Sequence, residues 1–168
     1  MAIERVRDYF RQFGMEDRIM EFDVSSATVE LAAKAVGCEP KRITKTLSFM
    51  LGDKPILIAV AGDAKVDNAK YKSRFGMKAK MLTPEEVLKY TGHAIGGVCP
   101  FGVIKDIDVY LDISMKRFKT VFPACGSDNS AIELDIEQME NYTNYLEWVD
   151  VCKNWEIEEI GSEQDSGA

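Results

Sequence analysis

Histidine occurs once, at position 93, and the four cysteines (Cys38, Cys99, Cys125, Cys152) are scattered without a single Cys-x-x-Cys pair. A structural zinc site needs closely spaced Cys or His ligands, so none is expected here. Nothing in the chain approaches the roughly 20 consecutive apolar residues of a membrane span. The first residues, Met-Ala-Ile-Glu-Arg-Val-Arg, are charged and amphipathic, unlike a secretory leader. The expectation is therefore a cytoplasmic protein with no membrane partner, whose thiols are reduced and mostly buried. Positive charge is also short overall: 21 Lys and Arg face 28 Asp and Glu, a net of −7.

The distribution of that charge says more than its sum. Residues 133–150 carry six acids and no base, and residues 151–168 carry five acids against Lys153 alone, which leaves 20 bases and 17 acids in residues 1–132. Within that part, Lys65, Lys70, Lys72, Arg74, Lys78 and Lys80 face one acid, Asp67. Such a cluster can meet a phosphate backbone, or it can be no more than a solvated helix face. A length of 168 residues, 46% apolar and 29% charged, fits one soluble domain, assigned to residues 1–155. The acidic, then Gly/Ser-containing stretch 156–168 reads as a disordered tail.

Ile3, Val6, Phe10 and Phe13 recur at helical spacing before Gly14, and Arg18–Phe22 reads as a short strand. A second helix, Val29–Val36, has cap oxygens before it and Gly37 after it. Ile43–Leu51 and Pro55–Ala61 form a hairpin around Gly52-Asp53, a helix fills Asp67–Phe75, and Ala79–Leu82 is a candidate strand. Thr83-Pro84-Glu85-Glu86 is a helix start with a capping box, and that helix ends at Gly92. Strands follow at 109–113, 120–123, 131–134 and 145–149, with a short helix at 136–141. Without a regular βαβ rhythm, the pattern predicts an α+β fold: a mixed, mostly antiparallel sheet or partly closed barrel flanked by helices.

Two features could carry chemistry. Strand alternation puts Lys45 on the same face as Leu47, Phe49 and Leu51. An ammonium on an apolar face is costly unless it meets an anion or a pocket open to water; the plainer reading is a strand-end lysine whose stem runs along apolar neighbours to solvent. The other feature is the loop Gly96-Gly97-Val98-Cys99-Pro100-Phe101-Gly102, which is neither a Walker motif nor G-x-G-x-x-G. Its amides could bind a carbonyl oxygen or phosphate, or the loop could be only a tight connection. Cys99 would be a nucleophile only with a base such as His93 in reach, and Gly126–Ser130 is a further polar loop.

Taken together and in order, Thr28–Ala33, Ile43-Thr44-Lys45-Thr46-Leu47, Gly96–Gly102, Ala124-Cys125-Gly126-Ser127 and Ala131–Leu134 resemble the YbaK/prolyl-tRNA-synthetase-associated editing domain family, over roughly residues 5–150. The resemblance implies a free-standing deacylase that hydrolyses mischarged aminoacyl-tRNA, typically alanyl- or cysteinyl-tRNA(Pro), at its acceptor end. It implies an aminoacyl-tRNA synthetase as a partner, and no metal or other cofactor. Carried over by position, Lys45, Gly96, Gly97 and Gly102 would be catalytic, and Thr28, Thr46, Pro100, Gly126 and Ser127 would bind substrate. The cluster from Lys65 to Lys80 would be the tRNA surface. A non-catalytic tRNA- or synthetase-binding module and a Cys99-dependent hydrolase remain the alternatives.

Overall fold

In the computed structural model, which describes residues 2–104 and 106–155, the frame is set by one hairpin. The expected acidic tail lies outside the described residues. The chain runs through α1 (Ala2–Arg11), β1 (Met20–Glu21), α2 (Val29–Val36), β2 (Ile43–Leu51), β3 (Lys54–Ala61), β4 (Lys65–Val66), α3 (Asn68–Phe75) and α4 (Pro84–Thr91). It continues through β5 (Asp108–Asp112), β6 (Thr120–Pro123), β7 (Ser130–Ala131), β8 (Leu134–Asp135), α5 (Ile136–Thr143), β9 (Glu147–Val149) and β10 (Cys152–Lys153). The long β2–β3 pair is antiparallel from Thr44↔Ala61 to Leu51↔Lys54. Around it a mixed sheet in the order β8-β6-β2-β3-β5-β9 curls into a half-barrel flanked by helices.

Ile56 through Ala61 of β3 are all fully buried, an unbroken apolar run that makes this the central strand, covered on both faces. Parallel neighbours follow on one side, β5 on β3 and β9 on β5, as burial on both faces favours. The helix signals act as read. Thr28 accepts from Leu31 N–H at the start of α2, and Thr83 with Glu86 forms a reciprocal capping box on α4. Gly37 and Gly92 close those helices in the left-handed conformation.

Three expectations shift. The strand at 18–22 shrinks to Met20–Glu21, because Glu16–Arg18 takes a 3₁₀ turn first. The run 131–134 splits into β7 and β8, which pair with different partners, β1 and β6. The run 79–82 makes only a bridge, Phe49↔Met81. Apolar alternation shows where a strand can form, but partner geometry decides how far it extends.

Asp112 ends β5 fully buried, accepting the Ser114 N–H at 3.0 Å and the Val151 N–H at 2.9 Å, and so ties the sheet to the segment entering β10. Asp112→Ala should leave two buried donors unpaired and lower the unfolding free energy by roughly 2–5 kcal/mol, whereas Thr83→Ala should cost only about 1 kcal/mol. Urea denaturation of both variants checks this ordering, and equal losses would contradict it.

Candidate functional site

The sheet leaves a gap along the outer edge of β2. Strand β6 pairs there only with Ile43 and Thr44, and segment 80–82 only further on, through Leu82 N–H to Ser48 O (3.1 Å) and Met50 N–H to Lys80 O (2.8 Å). Between them Lys45, Thr46 and Leu47 meet no neighbouring strand on that edge. Because Ser48 and Met50 turn their backbone groups outward, ladder alternation turns those of Thr46 into the same gap. A cleft of about 240 Å³ occupies it, lined among others by Thr28, Lys45, Thr46 and Gly96. Three loops enclose it. Ser26 N–H donates to Asp128 O (2.6 Å), and the Gly96 Cα faces Ala27 and Asp128 so closely that an added Cβ would lie 3.2 and 3.4 Å from their Cβ atoms.

Lys45 is half-buried and has no hydrogen bond or ion pair among the described residues. Burial pushes its ammonium pKa down. Cys152, Asp63 and Glu30 pull it back up only in part, and Lys65 adds to the lowering. Two other residues lining the cleft, Ser26 and Thr46, carry buried hydroxyls without a partner among the described residues. Unsatisfied polar groups are uncommon in folded interiors; two of them here, Tyr71 OH and His93 Nδ1, lie away from the cleft, but the two beside an unpaired lysine make the cleft the candidate site.

The other predicted residues divide. Thr28 reaches the cleft, though its Oγ1 is committed to capping α2. Gly97 packs against the next loop, where a Cβ would lie 2.6 Å from Ser127 N. Its own N–H donates to Ala94 O at 3.0 Å, so it has no amide to offer an oxyanion. Gly126 packs against α1, with a would-be Cβ 2.9 Å from Ala2 O, and Ser127 Oγ lies 2.8 Å from both Asn129 Oδ1 and Ser130 Oγ. None of these three lines the cleft. Gly102 and Pro100 do not reach it. They line a second cleft on the far side of the loop, and the Gly102 Cα backs onto Arg5 and Val6 of α1. Sequence reading missed Ser26, Met81, Val87, Ile95 and Phe122, all lining residues. Ser26, Ile95 and Phe122 flank named motifs, which could have signalled them; nothing local in the sequence points to Met81 or Val87.

Cys99 is fully buried and does not line the cleft. Burial pushes its thiol pKa up to about 12. His93 Nε2 sits 3.6 Å from the sulfur but 2.7 Å from Phe101 O. A carbonyl oxygen only accepts, so that ring nitrogen carries a proton and cannot take one from the thiol. Burial also lowers the pKa of His93 and keeps the ring neutral. The pair is a staple that pins the loop to itself, not a nucleophile and base.

The basic cluster also separates. Lys70 Nζ contacts Asp150 (3.1 Å) and Cys152 O (2.9 Å), while Arg74 pairs with Glu147 and lies over Phe75 and Tyr110. Lys65 has its backbone in the β4–β10 pair, but its side chain is exposed with no ion pair among the described residues. Lys72, Lys78 and Lys80 are exposed, with no ion pair among the described residues.

Comparison with known proteins places this arrangement. The model of the aminoacyl-tRNA editing domain matches residues 24–142, the stretch that builds the cleft. The chain belongs to that family. A similar protein is the uncharacterised YwhH of Bacillus subtilis strain 168, 55% identical over 157 residues, with 93% of this chain and all of that protein covered. EbsC of Enterococcus faecalis, a candidate Cys-tRNA(Pro)/Cys-tRNA(Cys) deacylase, is 29% identical over 120 residues, 70% of this chain and 73% of that protein. Among solved structures, a candidate trans-editing enzyme for prolyl-tRNA synthetase superposes with a TM-score of 0.82 at 29% identity, covering 90% of this chain and 97% of that one. Among the described residues no helix is long and apolar enough to cross a membrane.

In the folded protein at neutral pH, a small thiol reagent should modify at most the half-exposed Cys38, and all four cysteines should react after denaturation. Rapid native labelling of Cys99 would contradict its placement.

Proposed function

We propose that this chain is a free-standing aminoacyl-tRNA deacylase that works in trans, removing a small, wrongly attached aminoacyl group such as alanyl or cysteinyl from tRNA(Pro) or a related tRNA. The observation that carries the reading is an unpaired lysine at a half-apolar cleft within an editing-domain fold. A lysine held there without a counter-ion is preorganised for a group that brings negative charge or develops it. The ester carbonyl, or the phosphate beside the terminal ribose, is such a group.

In this mechanism Lys45 orients the aminoacyl ester over the β2 edge. Water adds to the carbonyl carbon, helped by the free ribose hydroxyl next to the ester. The tetrahedral oxyanion is met by Lys45 and by amides open to the cleft. Gly96, at φ +98°, and Thr46, at the unpaired edge, are the amides we assign. Collapse breaks the bond between the carbonyl carbon and the ribose oxygen, and the proton from water passes to that oxygen. No step is assigned to a metal. A cleft of about 240 Å³ admits small aminoacyl groups, but one methylene is worth only about 1–3 kcal/mol of discrimination, so contacts to the tRNA must add to the choice. Cytoplasmic action and association with a prolyl-tRNA synthetase follow from this reading. The Thermotoga neapolitana proline–tRNA ligase carries a 93-residue stretch 33% identical to this chain, which covers 16% of that ligase.

Single-turnover hydrolysis of alanyl-, cysteinyl-, seryl- and prolyl-tRNA(Pro) tests the reading. Lys45→Ala should lower the rate on the preferred substrate about a hundredfold or more, and Cys99→Ala should leave it within a few-fold. The reverse pattern would establish a thiol enzyme. No turnover on any substrate would leave a non-catalytic binding module.

A further inference from the structure

The mouth of the cleft carries two large apolar side chains in solvent, and they come from unrelated segments. Met81 is 60% exposed and Ile95 is 62% exposed, and both line the cleft. Neither exposure is an accident of a loose end. The bonds from Leu82 N–H to Ser48 O and from Met50 N–H to Lys80 O fix residues 80–82 against β2. They bury Leu82 and turn Met81 outward. Ile95 sits in the turn closed by Gly97 N–H on Ala94 O. A single exposed aliphatic needs no explanation, but two converging on one opening form a surface for something apolar and flat.

Charge narrows what that is. Lys78 and Lys80, on the segment that carries Met81, are exposed and without ion pairs among the described residues, while Lys70 and Arg74 of the same basic run are tied to acids. The segment that brings Met81 to the mouth thus also carries free cations, although neither lysine lines the cleft itself. A nucleotide presents that pattern in reverse, a planar base beside a phosphodiester. Methionine sulfur and aliphatic carbon both pack well on a base, and lysines supply the sequence-independent hold on phosphate.

We propose that Met81 and Ile95 clamp the terminal base of the tRNA acceptor strand, and that Lys78 and Lys80 hold the phosphates next to it. The proposal rests on the deacylase reading for its substrate. With the ester at Lys45, the ribose lies at the mouth, and base and phosphate come within reach of these four side chains. They act as positioning residues: the clamp fixes the ribose, and the ribose fixes the ester.

Two substrates separate the parts, full-length aminoacyl-tRNA and the minimal 3′-aminoacyl-adenosine. The double variant Met81→Ala/Ile95→Ala should raise KM about tenfold on both and leave kcat within a few-fold. Lys78→Ala/Lys80→Ala should raise KM on the full tRNA alone and reduce the slope of log KM against log salt by about 1.4. Leu146→Ala, an equally exposed residue at the far edge of the sheet, should change neither. A KM on aminoacyl-adenosine that stays at the wild-type value in the Met81/Ile95 variant overturns the clamp.

Binding of an unacylated oligonucleotide ending in CCA provides an arm independent of turnover. If the wild-type protein binds it and the Met81/Ile95 variant does not, the clamp stands even where the hydrolytic reading fails. If both bind equally, or neither binds, the proposal falls. If the variants instead lose affinity only for purified prolyl-tRNA synthetase, the surface is a protein interface and the proposal is likewise overturned.

Discussion

An uncompensated ammonium at the edge of an apolar sheet is the constraint around which the rest of the structure is arranged. Lys45 faces Val60 one pair in from the end of the longest pairing among the described residues, so its backbone is held there while its side chain is desolvated. The fold leaves the outer edge of β2 unpaired from Lys45 to Leu47, with β6 on one side of the gap and segment 80–82 on the other. The cost of holding the charge is carried by the fully buried β3 strand behind it and by the core packed on that strand.

The glycine-rich loop contributes less chemistry and more architecture than its composition suggests. Arg5 of α1 donates to the carbonyls of Gly92 and Gly102, at the two ends of the segment, and Phe10 packs on Phe101 with ring centroids 4.8 Å apart. His93 and Cys99 both donate to the Phe101 carbonyl. The loop is therefore fixed from behind by helix α1, and its glycines let three backbones approach where a Cβ would collide. Gly96 alone of its glycines lines the cleft. The loop shapes a wall, and the lysine supplies the charge.

Much of this was legible in the sequence, and the misses have physical causes. Capping residues and glycine stops located α2 and α4 closely because those signals are local. The β2–β3 hairpin followed from two apolar runs around Gly52-Asp53. The short strands β4 and β10 were missed because pairing with each other, not propensity, makes them strands. Lys45, Thr28, Thr46 and Gly96, which line the cleft, were singled out because they sit in motifs. Ser26, Met81 and Ile95 were not, because their roles depend on which loops the fold brings together. Gly102 and Pro100 were placed with the motif they belong to in sequence, although a turn of the chain carries them to the opposite face. The basic run from 65 to 80 looked uniform, yet Asp150 and Glu147, more than seventy residues away, neutralise part of it.

If Lys45 serves the proposed hydrolysis at the expense of stability, a distinctive double prediction follows. Its folded-state pKa lies below the usual 10.5, so the unfolded chain binds the proton more tightly, and charging Lys45 penalises the native state throughout the neutral range. The decisive measurement is the melting temperature of Lys45→Met at neutral pH, taken on the same preparation as its deacylation rate. The account predicts a protein that melts higher than wild type and has lost hydrolysis. A variant that melts lower and still deacylates would show that Lys45 is an ordinary structural lysine.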